Sequence, residues 1–156
     1  MGRGSRQLTS IGWREWLALP DLGVDAVKAK IDTGARSSTL HAFEIEEFER
    51  DGAFWVAFTV HPVQRSTRSS VRAEAPLLER RWVRNSGGKE QLRPVIVTTV
   101  SLREERWPIE LTLTKRDAMG FRMLLGRQAI RGRFIVDAGR SYLAGRPTPP
   151  THPDRP

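Results

Sequence analysis

Asp32 is the residue of this chain best placed to do chemistry. It closes the alternating run Val27-Lys28-Ala29-Lys30-Ile31 and opens Thr33-Gly34-Ala35. Alternation of apolar and basic residues is the pattern of a half-buried strand, so the carboxylate is expected at a strand-to-turn junction. Gly34 lets the backbone turn tightly beside it, and the Thr33 hydroxyl is able to brace neighbouring backbone. A carboxylate fixed in this way suits hydrolysis by general acid–base catalysis. That chemistry uses two carboxylates sharing a proton: one activates water and the other protonates the carbonyl oxygen. Asp-Thr-Gly also describes an ordinary turn, so the remaining residues must decide its meaning.

The second carboxylate is the missing part. Asp137 precedes Ala138-Gly139, where capping a turn is the simpler role. Asp117 follows Lys115-Arg116, where pairing with arginine is simpler. The most economical partner for Asp32 is therefore the Asp32 of a second copy, across the axis of a two-fold homodimer.

Other chemistries find fewer residues. There are no cysteines, which removes disulfides, a thiol nucleophile and thiolate metal sites. His41, His61 and His152 are widely separated and no His-Glu-x-x-His is present, so no metal is expected, although His41 and His61 could converge near Asp32. No cofactor is expected either. The one Gly-Lys pair, Gly88-Lys89, is followed by Glu90 and does not make a phosphate-binding loop.

A chain of 156 residues with a formal charge of +8 and a pI near 11.1 attracts polyanions: nucleic acid, acidic membrane or acidic peptide. A plain solvated surface is the alternative. The basic residues are densest at 65–72, 80–84 and 127–133, without any zinc-finger, RNP or basic-helix pattern. The five tryptophans lie in strand-like stretches and read as core, so nucleic acid is not the expected partner. No apolar stretch approaches the ~18 residues of a membrane span, and no apolar h-region follows Arg3 and Arg6. A cytoplasmic location is the default expectation.

The elements that must position Asp32 are short strands. Ile11–Leu19 reads as one strand ended by Pro20-Asp21-Leu22-Gly23, and Val24–Ile31 as the strand that delivers Asp32. Residues 37–48 are ambiguous, but Asp51-Gly52 marks a hairpin turn before the strand Phe54–Val60. Residues 64–70 read as an exposed connection. Arg81–Arg84 and Leu92–Val100 flank Asn85–Lys89, a long hairpin with a glycine-rich tip at Gly87-Gly88. A second hairpin turns at 103–106 and returns through 107–113. Met123–Arg127 is a short apolar run, Gln128–Ile130 could start a short helix, and Arg133–Asp137 is the last strand. Together these imply a mainly β fold, a closed antiparallel barrel with one short helix. The expected organisation is a flexible N-terminus at 1–10, one domain at 11–144, and a proline-rich disordered tail at 145–156.

The order of strand, Asp32-Thr33-Gly34-Ala35, glycine-tipped hairpin and late Leu124-Leu125-Gly126-Arg127 resembles retropepsin-like aspartic peptidases. In that fold an apolar-apolar-glycine segment packs beneath the catalytic turn and leads into a short helix. The chain is most similar to a bacterial family named as ATP-dependent zinc proteases and found near RimK-type ATP-grasp glutamate ligases. The resemblance spans roughly Ile11–Leu143. It rests on Gly12–Trp16, Lys30–Ser38, Leu40-His41-Ala42, Val60-His61-Pro62, Arg93–Ile96, Ile109–Thr114 and Arg116–Arg127. Two departures matter. Arg36 stands where viral retropepsins commonly carry an acidic residue, which changes the expected substrate charge. Ala138-Gly139 replaces the proline that the family often has after its final Val-Asp, which touches only a turn.

The resemblance implies an aspartic endopeptidase with Asp32, Thr33 and Gly34 in the catalytic turn. Arg36 and Arg127 could place guanidinium groups in the substrate channel, and Gly87-Gly88 could tip a flap that excludes water. With arginines that pair carboxylates in bidentate fashion, the implied substrate is an acidic peptide or a glutamate-tailed protein, with a functional link to a RimK-type ligase. Two other readings stay open. One is a non-enzymatic basic barrel that binds RNA, the ribosome or an acidic protein. The other is the zinc-dependent peptidase of the family's name.

Overall fold

The computed structural model describes residues 7–62, 70–85, 87–115 and 120–147. Alternation decides which side of each strand faces inward. In β2 (Arg14–Leu19) Glu15, Leu17 and Leu19 are buried, while Arg14, Trp16 and Ala18 lie on the outer face. β3 (Val24–Asp32) pairs with it antiparallel and turns Val27, Ala29 and Ile31 inward. β10 (Met123–Gly126) lies between β3 and β4 (Ser38–His41), and β4 pairs with β9 (Glu105–Thr114). β9 pairs in turn with β8 (Glu90–Leu102), and Ala18 against Ser101 joins β8 back to β2. Six strands thus close into a barrel around Leu17, Ile31, Leu40, Leu111, Leu113, Met123 and Leu125.

The closed barrel and its one short helix, α1 (Arg127–Ile130), match the expectation. Antiparallel pairing dominates but is not universal, because β3–β10 and β4–β9 are parallel. The reason is geometric. β10 is inserted between strands that run in opposite directions, so it must be parallel to one of them.

The stretch expected as a single first strand is two. β1 (Thr9–Gly12) pairs in parallel with β11 (Phe134–Asp137), and the chain changes sheets at Trp13 to begin β2. β1 begins inside the stretch expected to be loose. Residues 37–48 resolve into β4 and β5 (Phe43–Arg50), the latter paired with β6 (Ala53–Val60) through the turn at Asp51-Gly52. β7 (Val71–Arg84) is far longer than expected and bridges two neighbours. Its first half pairs with β6, and its second half pairs with β8 to form a two-stranded arm. Most of the 64–70 connection, Asp117, His152 and the tail beyond Pro147 lie outside the described residues. No helix among the described residues is long and apolar enough to cross a membrane.

Candidate active site

β3 ends at Asp32, and the chain turns at once. Asp32 Oδ1 accepts a hydrogen bond from the Gly34 amide at 3.0 Å, and the Ala35 amide donates to the Asp32 carbonyl at 3.2 Å. The side chain is thereby held by its own turn, as Asp commonly does two residues ahead of a glycine. Beneath lies β10, with Gly126 level with Asp32. A Cβ at Gly126 would be driven into the Ser37 carbonyl, so only glycine lets the two segments approach this closely.

The turn is fastened to the start of α1, directly after β10. Arg127 N donates to Ala35 O at 2.7 Å and Gln128 N to Arg36 O at 3.1 Å. Ser38, only 2% exposed, accepts from Gly126 N through Oγ at 3.0 Å. Arg127 sends its guanidinium to the Thr33 carbonyl at 3.0 Å. Thr33 and Gly34 are exposed, and the Thr33 hydroxyl makes no hydrogen bond among the described residues.

Asp32 opens into a cleft of about 1170 Å³. Its floor carries Thr39, Thr114 and Leu124, and the β7–β8 arm supplies Arg81, Trp82, Val83, Arg84 and Asn85. Of the expected catalytic turn, Asp32 and Gly34 line this cleft and Thr33 does not; of the residues expected to meet substrate, Arg36 lines it. Arg127, Gly87 and Gly88 do not line it. Arg127 is spent on the turn backbone. The tip glycines sit in a loop locked by Asn85, whose Oδ1 accepts from Gly87 N and Lys89 N at 2.9 and 3.1 Å. The arm, not its tip, faces Asp32.

Sequence reasoning passed over Arg81, Arg84 and Arg93. Arg81 is bound by Glu110 at 2.8 Å and by Glu79, and the hydrogen bond it donates to Glu110 is the largest cause of its raised pKa. Arg93 is only 6% exposed, with Nε on Gln91 Oε1 at 2.9 Å and Nη1 on Thr39 Oγ1 at 3.4 Å. The available signal was a charged residue at an inward register. Arg36 and Arg84 make no ion pair among the described residues. Four arginines and two carboxylates, Asp32 and Glu110, thus line the cleft. Trp82, expected in the core, is 64% exposed, whereas Trp107 is buried.

Asp137 does not line the cleft. Its Oδ1 accepts from Gly139 N at 3.0 Å, which is turn capping. The two described histidines, His41 and His61, do not form a zinc site with other ligands. His41 Nε2 meets the Lys115 carbonyl at 2.7 Å and so carries the proton, and Nδ1 meets Arg122 Nη1 at 2.8 Å. With both ring nitrogens engaged, His41 has no lone pair for a metal. No group of three or more His, Asp or Glu that could hold a metal occurs among the described residues. His61 and His41 both lie tilted against Phe43, each with ring centroids 4.6 Å apart, and the buried His61 Nδ1 has no hydrogen-bond partner among the described residues.

A closed six-stranded barrel with Asp-Thr-Gly at a strand end, backed by Leu-Leu-Gly and a short helix, defines a retropepsin-like protein. Residues 10–147 match the model of the RimB-like family, described as retropepsin-like aspartic endopeptidase RimB, and the chain belongs to that family. Longer relatives are similar over most of this chain. A protein of Parasynechococcus marenigrum described as "Probable alpha-L-glutamate ligase" is 53% identical over 135 residues, 86% of this chain and 29% of its own length. One of the same description from Shewanella pealeana is 45% identical, over 86% of this chain and 30% of its length. The chain thus spans under a third of these relatives. A crystal structure of a Legionella pneumophila protein of unknown function (DUF785) superposes with a TM-score of 0.72 at 27% identity, covering 88% of this chain and 99% of that one.

Proposed function

We propose that this chain is a cytoplasmic aspartic endopeptidase that acts as a homodimer on acidic, glutamate-rich peptides. The observation that carries the reading is the pinned Asp32 carboxylate opening into an arginine-lined cleft. One Asp32 acts as general base: it takes a proton from water as the oxygen attacks the peptide carbonyl. The Asp32 of the second copy, protonated, gives its proton to the carbonyl oxygen. As the tetrahedral intermediate collapses, the first Asp32 passes the proton taken from water to the nitrogen, the second Asp32 takes back the hydroxyl proton, and the C–N bond breaks to give amine and acid. The exposed Thr33-Gly34 edge is the surface that a second copy of the turn would meet. Arg36 and Arg84 would receive substrate carboxylates, and the β7–β8 arm would cover the bound chain. The ligase description of the longer relatives supports a link to a RimK-type glutamate ligase, which would build the tails that this enzyme trims.

The test is cleavage of a fluorogenic glutamate-rich peptide, with sedimentation of the same samples. Wild type should be a dimer. Asp32→Asn should lose about 1,000-fold in kcat/KM, within the range for a lost acid–base group, while Asp137→Asn should stay within about two-fold. Full activity of Asp32→Asn, or activity in a strict monomer, would sink the reading. Steep salt-dependent RNA binding unaffected by Asp32→Asn, without cleavage, would favour the non-enzymatic barrel.

A further inference from the structure

The outer face of β2 and β3 carries a second cationic surface. Lys30 and Lys28 precede Asp32 by two and four residues on β3, so all three share one side of the strand. Lys30 is level with Leu124, a floor residue of the cleft, and with Arg14 of β2. Lys28 stands opposite Trp16. The cleft floor therefore continues through Lys30 to Arg14, Lys28 and Trp16.

Arg14, Lys28 and the nearby Arg146 are held by rings and not by carboxylates. The Arg14 guanidinium lies 4.7 Å from the Trp13 ring and 5.0 Å from that of Tyr142, and its Nε donates to Ser141 Oγ at 3.0 Å. Lys28 Nζ is 5.4 Å from Phe121, and Arg146 is 4.2 Å from Trp16, which itself stacks on Tyr142. Among the described residues none of Arg14, Lys28, Lys30 or Arg146 forms an ion pair. On the β5–β7 sheet Arg50 and Arg80 also lie over rings, but there Arg50, Arg72 and Arg80 are each matched to a carboxylate, Glu74, Glu46 and Glu47. A ring face positions a cation while leaving most of its N–H donors unspent. Ordered cations without counter-charges are what a site for carboxylates requires.

We propose that this ledge of β2 and β3 is an extended binding site for the acidic arm of the substrate where it leaves the cleft. The proposal rests on the acidic-peptide reading of the cleft and deepens it. Same-side residues of a strand repeat every ~6.6–6.8 Å, as do alternate side chains of an extended peptide. Lys30 and Lys28 thus match successive same-side glutamates of a chain running along β3. Trp16 and Tyr142 bed the glutamate methylenes, Arg14 flanks Lys30 near the cleft, and Arg146 closes the far end over Trp16. The ledge grips substrate and takes no part in bond cleavage.

The experiment measures fluorescence anisotropy of a labelled oligoglutamate on full-length Asp32→Asn protein, so that binding is read without cleavage. In that background Lys28→Glu with Arg146→Glu should weaken binding about ten-fold at low salt, an effect that shrinks as ionic strength rises. Lys28→Gln should weaken it about two- to three-fold, by the loss of one unit of charge in place of four. Reversal of two exposed arginines away from the ledge, Arg106→Glu with Arg131→Glu, is the control for net charge. Equal loss in the control overturns the proposal, as does unchanged binding in the ledge variants. Displacement of the peptide by an RNA of equal charge at lower concentration also overturns it, in favour of a nucleic-acid surface. Ledge-dependent binding with no cleavage by wild type would retire the peptidase and keep the ledge. Cleavage of short peptides with no ledge effect would do the opposite.

Discussion

The Asp32 turn and the Asp137 turn are built alike. Each aspartate ends a strand and accepts from the glycine two residues on, both at 3.0 Å. Each is level with a glycine of a parallel neighbour, Asp32 with Gly126 and Asp137 with Gly12. In each, the residue after that glycine donates its amide to the carbonyl three residues past the aspartate: Arg127 to Ala35 at 2.7 Å, and Trp13 to Arg140 at 2.9 Å. A Cβ on either glycine would enter the opposing loop backbone. The surroundings differ. Gly126 N is satisfied by the neutral Ser38 hydroxyl, whereas Gly12 N is satisfied at 2.6 Å by Glu15, a fully buried carboxylate that also takes Leu143 N and Ala144 N. Behind Asp137 the anion staples the chain shut. Behind Asp32 the brace is a neutral hydroxyl, and the turn opens to a cleft. One backbone device serves structure in one place and is available for chemistry in the other.

Substituting the two glycines tests whether the devices are equivalent in stability and unequal in function. Gly126→Ala and Gly12→Ala should each lower stability by about 3 kcal/mol, the upper part of the usual cost of overpacking, because the obstruction is backbone. Thermal unfolding reads this directly. On the surviving folded protein, Gly126→Ala should reduce kcat about 100-fold by displacing Asp32, since an ångström of misplacement has that effect. Gly12→Ala should leave kcat within about two-fold. Equal kcat losses would erase the division of labour.

The two braces give a smaller contrast. Glu15→Gln replaces one of two carboxylate oxygens with an amide donor that faces a backbone N–H, and should cost about 2–3 kcal/mol with kcat unchanged. Ser38→Ala leaves Gly126 N–H buried without that partner and should cost about 1–2 kcal/mol. Its kcat should also fall about ten-fold, because the unbraced amide lies directly under Asp32. Should Glu15→Gln depress kcat more than Ser38→Ala does, the assignment of structure to one turn and chemistry to the other is reversed.

Half of this comparison was legible in the sequence. Asp32-Thr33-Gly34 and Leu124-Leu125-Gly126 stood out because residue types alone express a tight turn and a close approach, and Asp137 was rightly read as a turn cap. Glu15 was invisible as a brace. Its role depends on Leu143 and Ala144, 128 and 129 positions away, and alternation says only that it faces inward. The single-strand reading of 11–19 failed for the same reason, since Arg140 is what divides it at Trp13. The first half of β7 was missed because Ala73, Glu74, Ala75 and Pro76 are poor strand formers, and the neighbouring β6 decides their conformation. Trp82 was placed in the core because its strand pattern is sound, yet it lines the open cleft and is left exposed.

The smallest effect comes from the residue four places past each aspartate, Arg36 in one turn and Ser141 in the other. Arg36 lines the cleft without an ion pair, whereas Ser141 accepts from Arg14 at 3.0 Å as part of a closed structure. Arg36→Ser therefore gives the Asp32 turn the side chain of its counterpart and removes only charge and reach. Because Arg36 borders open solvent, its attraction is screened by salt and modest in water. KM for a glutamate-rich peptide should rise about five-fold at low ionic strength, kcat should be unchanged, and a neutral peptide should show no difference, the signature of lost uniform binding. The rise should vanish near 1 M salt, where the Debye length falls to about 3 Å. A fall in kcat instead would mean that Arg36 acts on the reacting atoms. The asymmetry between the turns would then extend from substrate selection into the chemical step.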